Sequence, residues 1–139
     1  LRMVVLRDFD ADQLHFTIFT DARSKKVKEL KENSNAQFLF YDSKRMIQLI
    51  FSVKMIEIDY DDSIYNSLPD ASKKDYSSVQ TPGSKIKGPD QVSYDDSKKH
   101  FIKINFKSLR LEYLRLKRPN HIRAVFDSKK LWKGQFLAP

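Results

Sequence analysis

The sequence contains no cysteine. That excludes thiolate nucleophiles, Cys-ligated zinc, iron–sulfur clusters and a disulfide framework together. It fits a reducing compartment, and a cytoplasmic location is expected. Three glycines in 139 residues are too few for a G-x-G-x-x-G turn or another glycine-rich phosphate loop. No apolar run approaches the ~20 residues of a membrane span. His15, His100 and His121 are scattered, without metal-site spacing or an H-E-x-x-H pattern, so no metal is expected. Ser24 lacks the His and Asp partners of a hydrolase nucleophile.

What is present suits one soluble globular domain. At 139 residues, with 40% apolar and 32% charged residues, a chain buries roughly two thirds of its unfolded surface without any staple. The chain opens at Leu1 inside an apolar run. Residues upstream are therefore expected to have been removed or to lie outside this sequence, with any targeting segment among them.

The net charge of +8 is unevenly placed. Residues 1–99 hold 16 Lys/Arg and 16 Asp/Glu, whereas residues 100–139 hold 10 basic and 2 acidic residues. A basic end suggests an anionic partner, namely a phosphorylated small molecule, a nucleic acid or a partner subunit. The alternative is a solvated strand face.

Alternation of apolar residues predicts strands over 1–7 and 14–20, joined by a turn at Asp8, Asp10 and Asp12. A helix follows in DARSKKVKELKEN, capped by Asp21 or Ser24 and ended by Asn33. Residues 36–41 and 45–58 form a second hairpin around DSK. Residues 59–99, rich in Pro, Ser, Asp and Lys, read as a long crossover with a short helix capped by Asp61. Strand character resumes over 101–117, where the apolar phase breaks between Phe106 and Leu109, predicting a bulge or a strand passing between two sheets. A last hairpin spans 121–127 and 130–137, with Lys129 and Lys130 at its tip and Trp132 in the core or an interface. Seven or so strands with two or three short peripheral helices spell a mainly β, antiparallel barrel.

In the first hairpin Arg2 comes near Thr20 and the start of the helix. Free helical N–H groups, the Ser24 hydroxyl, Lys25, Lys26 and the Arg2 fork then converge on one anion, a pocket suited to a phosphomonoester. A nucleic-acid groove would need a longer stripe with interleaved aromatics, so nucleic acid is the less favoured partner. Gln48, polar in the apolar strand MIQLI, needs partners that either a ligand or neighbouring backbone could supply.

RMVVLR at 2–7, FTDARSKK at 19–26, Gln48 in MIQLI and the closing LWKGQFLAP, in this order and spacing, resemble the FMN-binding split barrel of the pyridoxamine 5'-phosphate oxidase family. The resemblance covers residues 1–139 and is weakest between about 61 and 99. It implies a single Greek-key split β-barrel domain without the family's N-terminal helical segment, and FMN held between the subunits of a homodimer. By position it gives Arg2 and Lys26 to the FMN phosphate with Ser24 and Lys25 close by. Arg7 falls near the flavin ring or the substrate phosphate, Phe19 and Thr20 line the cofactor, and Gln48 hydrogen-bonds the flavin.

The departures are specific. Leu114 follows Glu112-Tyr113 where the oxidase has tryptophan. His121 and Arg123 stand in reversed order where the family grips its substrate. Val125 and Leu68 replace two family arginines. The resemblance therefore implies an FMN-binding oxidoreductase acting on an unidentified small substrate, closer to the uncharacterised members of the superfamily than to the vitamin enzyme. The alternatives are a flavin- or haem-binding module without turnover and a nucleic-acid-binding barrel.

Overall fold

The computed structural model describes residues 1–139. Its seven strands are β1 (Leu6–Asp10), β2 (His15–Asp21), β3 (Asn35–Asp42), β4 (Ile47–Asp59), β5 (Phe101–Arg115), β6 (Ile122–Asp127) and β7 (Gly134–Leu137). Three helices accompany them, α1 (Lys25–Glu32), α2 (Asp62–Ser67) and α3 (Asp70–Lys74). All strand pairs are antiparallel, in the order β1-β2-β5-β4-β3, with β6 added to β5 and β7 to β6. After the crossover β5 returns to lie between β2 and β4, the Greek-key step of the expected mainly β split barrel.

β5 holds the two halves together. Its first half pairs with β2, from Phe101 opposite Asp21 to Lys107 opposite His15. Its second half pairs with β6, from Arg110 opposite Asp127 to Arg115 opposite Ile122. Between them the β4 register jumps from Ser52–Arg110 to Val53–Ser108, leaving Leu109 as the extra residue. A bulge of one residue moves every later side chain to the other face. That is why Ile102, Ile104 and Phe106 point inward in the first half while Leu111 does so in the second. The phase break in the sequence marks this change of partner.

The core fills the barrel. Phe16, Ile18, Phe51, Val53, Ile104 and Phe106 are buried at its centre, and Val27 of α1 closes one end. Phe16 anchors it, with ring centroids 5.2 Å from Phe38 and 4.9 Å from Phe51. A second, smaller cluster lies outside the barrel, where Tyr65 and Tyr76 of the crossover pack on Phe101 and Phe19. There the crossover is tied down by His100 N–H to the Tyr76 carbonyl and Ala22 N–H to the His100 carbonyl.

Several expected boundaries shift. The first strand begins at Leu6 rather than residue 1, and it contains Asp8 and Asp10. The turn lies beyond them, where Asp10 Oδ1 accepts the N–H groups of Asp12 and Gln13, both at 2.9 Å. Residues 1–5 have no hydrogen-bonded partner strand, because β1 and β3 are not paired. The barrel is split there, and an apolar groove of about 300 Å³ runs between Met3, Val4, Ile18 and Phe40. Residues 130–133 are not strand either, since a 3-10 turn at Ser128–Lys130 precedes β7. Asp61 caps α2 as expected, accepting from Ile64 N–H at 3.0 Å.

Candidate functional site

The sequence-predicted residues fall into three groups. The first gathers where β2 runs into α1. Thr20 points inward next to Ile18, and it and Ser24 are both buried. Their hydroxyls lie 3.4 Å apart, and the Lys26 ammonium donates to Thr20 Oγ1 at 2.6 Å. Arg2 reaches the same corner from the N-terminal segment and pairs with Glu29, one turn beyond Lys25 on α1. Burial, and then the charge of Arg2, push the Lys26 ammonium below its ordinary value, against an opposing pull from Asp21. Two cations are thus held close in a half-buried corner where Glu29 and Asp21 are the carboxylates that offset them.

The helix end at this corner is unfinished. Ser24 is the N-cap of α1, yet its side chain makes no capping bond. The first N–H groups of the helix and the Ser24 hydroxyl remain available to an acceptor. Asp21, the other expected cap, turns instead to the N–H of Arg23 at 2.7 Å. Lys25 points away, largely exposed, with its ammonium 3.7 Å from Glu29. Beside the corner opens a groove of about 350 Å³ whose walls include Arg2, Lys26, Leu30, Asn35 and Phe38.

The second group lies on the opposite face of β2, since Phe19 and Thr20 are neighbours on a strand. The Arg7 guanidinium sits over the Phe19 ring, 5.6 Å from its centroid. It faces Tyr76, whose hydroxyl is pushed up by burial while the Arg7 charge opposes that shift. Arg7 forms no ion pair. This is a cation on an aromatic floor, walled on one side by the crossover.

The third group is remote within one chain. Asn35, near the C-terminal end of α1, pairs with Lys54, whereas Gln48 pairs with Tyr41 at the far end of the same hairpin. Six residues at about 3.3 Å each put Gln48 roughly 20 Å from the Asn35 end of the hairpin, which lines the groove beside the first corner. Gln48, Leu114 and Arg123 form one row across β4, β5 and β6, and directly opposed residues share a face. Arg123 is already engaged, with Nη2 3.2 Å from Glu112, which also takes Arg110 at 3.0 Å. His121 accepts the Lys117 N–H on Nδ1 at 3.1 Å.

Two residues that the sequence reading passed over shape these sites. Tyr76 is buried although its surroundings in the sequence are polar; an isolated aromatic in such a stretch was the available signal. Arg23 donates to Asp21 and to the carbonyls of Ser78, Val79 and Gln80, contacts more than fifty residues apart that no local pattern announces. No group of three or more His, Asp or Glu side chains is arranged to hold a metal, and no helix is long and apolar enough to cross a membrane.

The fold defines a class, the split β-barrels. Residues 1–57 match the family model of the pyridoxamine 5'-phosphate oxidase FMN-binding domain, and this chain resembles that family in sequence there and in fold across almost its whole length. A pyridoxamine 5'-phosphate oxidase-related, FMN-binding protein from Nostoc punctiforme superposes with a TM-score of 0.77 at 19% identity, covering 99% of this chain and 80% of that one. PhzG from Burkholderia lata, solved with tetrahydrophenazine-1-carboxylic acid, gives 0.78 at 16% identity, covering 99% and 74%. A protein of the pyridoxinephosphate oxidase family from Clostridium acetobutylicum, related to general stress protein 26, gives 0.57 at 15% identity, covering 93% and 76%. Among curated proteins no sequence matches.

Proposed function

We propose that this protein is an FMN-dependent oxidoreductase acting on a small substrate. The observation that carries the reading is the corner of Arg2, Thr20, Ser24 and Lys26. An uncapped helix start, two close hydroxyls and two crowded cations form a donor set with the chemistry of a phosphomonoester site. Lys26 keeps further N–H groups free after its bond to Thr20. Arg2 would exchange Glu29 for the phosphate, where its fork can bind two oxygens. Arg7 and Phe19 lie on the opposite face of β2 and take no part in that phosphate corner. When bound, FMN supplies the redox chemistry, and the protein's part is to bind, orient and admit a substrate.

Gln48, His121 and Arg123 cannot reach that corner within one chain. We therefore infer a homodimer in which the second copy supplies them, and the matched family model's description as an FMN-binding domain supports the cofactor. The exposed Leu39, on the sheet face that carries Gln48, suits such a contact. A second reading, a flavin-binding module without turnover, is favoured by one observation. Arg123 is neutralised by Glu112, and Val125 stands beside it where the family has an arginine.

Titration of apo-protein with FMN and with riboflavin, followed by flavin fluorescence, tests the reading. FMN binds at least tenfold more tightly than riboflavin. Arg2→Ala and Lys26→Ala each weaken FMN by about tenfold to a hundredfold, the worth of one charge-assisted bond of about 1.5–3 kcal/mol, and leave riboflavin unchanged. Binding of neither flavin would refute it. Bleaching of bound flavin by a reductant, followed by reoxidation, separates the oxidoreductase from the inert module. Mixing Arg2→Ala with Gln48→Ala chains and recovering one intact site per dimer tests the shared site.

A further inference from the structure

The turn joining β3 to β4, residues 43–46, and the connection from β5 to β6, residues 116–121, lie side by side because β4 and β5 are neighbours. Leu116 N–H donates to the Met46 carbonyl at 3.0 Å and binds them into one surface. Lys44, Arg45, Arg115, Lys117 and Arg118 are exposed on it. Asp42 is the only carboxylate in or beside these two turns, and it is committed to Arg45, at 2.7 Å, and to the Lys44 and Arg45 amides. The other four cations have no ion-pair partner. Three of the ten basic residues of the C-terminal third, Arg115, Lys117 and Arg118, are gathered here, against a turn from a distant part of the chain.

Two features narrow what this surface fits. Tyr41, Met46 and Leu116 are exposed among the cations, so the ligand has an apolar body as well as an anionic group. The unpaired cations are confined to two adjoining turns, whereas a nucleic-acid track would continue along a longer basic groove with stacking aromatics. His121 adds a directed donor. Because its Nδ1 accepts the Lys117 N–H, the neutral ring carries its proton on Nε2, which stays free to donate.

We propose that these two turns are the recognition site for the anionic group, a carboxylate or phosphate, of a small organic substrate whose apolar body lies on Tyr41, Met46 and Leu116. The site adjoins the row that contains Gln48 and Arg123. What the ligand does there rests on the flavin reading, because Gln48 is the residue given to the flavin.

The test uses 1-naphthyl phosphate, 1-naphthoate and neutral 1-naphthol as probes on the FMN-treated full chain, read by backbone amide shifts. Both anions shift residues 43–46 and 115–123, with affinity falling as salt rises, and naphthol binds at least tenfold more weakly. A tighter phosphate than carboxylate identifies the dianion as the preferred group, and the reverse order identifies the carboxylate. Replacing Lys44, Arg115, Lys117 and Arg118 together by serine, all on the surface, weakens both anions at least tenfold while the melting temperature holds. Shifts confined to the Arg2–Lys26 corner, or equal affinity in the variant, overturn the proposal. A single-stranded oligonucleotide that saturates the same residues a hundredfold more tightly overturns the small-molecule class. If FMN fails to bind while the naphthyl anions still land on the turns, the flavin reading falls and the anion site stands.

Discussion

Arg23 grips Asp21 with two prongs, Nε to Oδ1 at 3.1 Å and Nη2 to Oδ2 at 2.7 Å. The same guanidinium holds the crossover, through the carbonyls of Ser78 at 2.8 Å and Val79 at 3.3 Å. Asp21 is buried and Arg23 about a quarter exposed, so the pair works where solvent screens it little. One side chain thus fastens the start of α1 and the crossover to each other, next to the proposed phosphate corner.

Arg23→Ala leaves the Asp21 carboxylate without its partner and frees residues 78–80. A fully buried pair broken on one side costs about 3–5 kcal/mol; with Arg23 partly exposed, a loss of about 2–3 kcal/mol is expected in urea unfolding. Adding Asp21→Asn should recover part of it, because the uncompensated charge is gone. A double mutant no better than Arg23→Ala would show that the bonds to the crossover carbonyls dominate.

Lys26 makes phosphate binding sensitive to alkali. Its folded-state value is depressed, so the corner holds a proton less firmly than the unfolded chain does. Between the depressed value and the ordinary lysine value, the unfolded chain binds more protons, and the stability of the ligand-free protein therefore rises with pH there. FMN affinity runs the other way. It is full while Lys26 is charged and falls as pH rises through its depressed value, before ordinary lysines titrate. Fluorescence titrations between pH 7 and 10 check this, and in Lys26→Arg the loss should vanish because guanidinium stays charged.

Glu29 competes with a bound anion for Arg2. Glu29→Gln should therefore tighten FMN several-fold, with little change in stability because the Arg2–Glu29 pair is solvent-exposed and worth about 0–1 kcal/mol. Riboflavin, without a phosphate, should bind unchanged. Weaker FMN binding in the variant would mean that Glu29 positions Arg2 for the phosphate rather than competing with it.

Gly134 opens β7 against Phe126. A Cβ built there would meet Phe126 Cε1 at 2.6 Å and Cδ1 at 3.2 Å. Gly134→Ala should cost about 1–3 kcal/mol, the usual range for overpacking, unless the ring swings aside. Thermal unfolding of this variant, alone and with Phe126→Leu, distinguishes the clash from a backbone effect, since the smaller side chain should relieve only the clash.

The elements that the sequence predicts best are those whose periodicity reports burial directly. Phe16 and Ile18 alternate with Thr17 and Phe19, and that pattern places β2 and sends Phe19 and Thr20 to opposite faces. The break after Phe106 likewise announces the bulge at Leu109. β1 begins later than the alternation predicts because all five of its residues are exposed, so no buried face imprints a period on it. Where it starts is decided by which backbone groups find a partner on β2, and residues 1–5 find none on β3.

Local pattern and composition suffice for the strand inventory, the helix at 25–32, the gathering of charge in the C-terminal third and the RMVVLR and TDARSKK segments that resemble an FMN-binding family. These are local, since each depends on neighbours within a few residues or on composition. How the candidate residues divide follows from the pairing of strands far apart in the chain. It joined Arg2 to Lys26, set Arg7 over Phe19 and beside Tyr76, and carried Gln48 to the far end of the sheet. It also brought the β3–β4 turn against residues 116–121 and closed Arg23 on the crossover. The physical reason is that strand pairing fixes distances across the sheet only once β5 has inserted between β2 and β4, a choice made by the burial of Ile104 and Phe106 and not by any residue of the sites themselves.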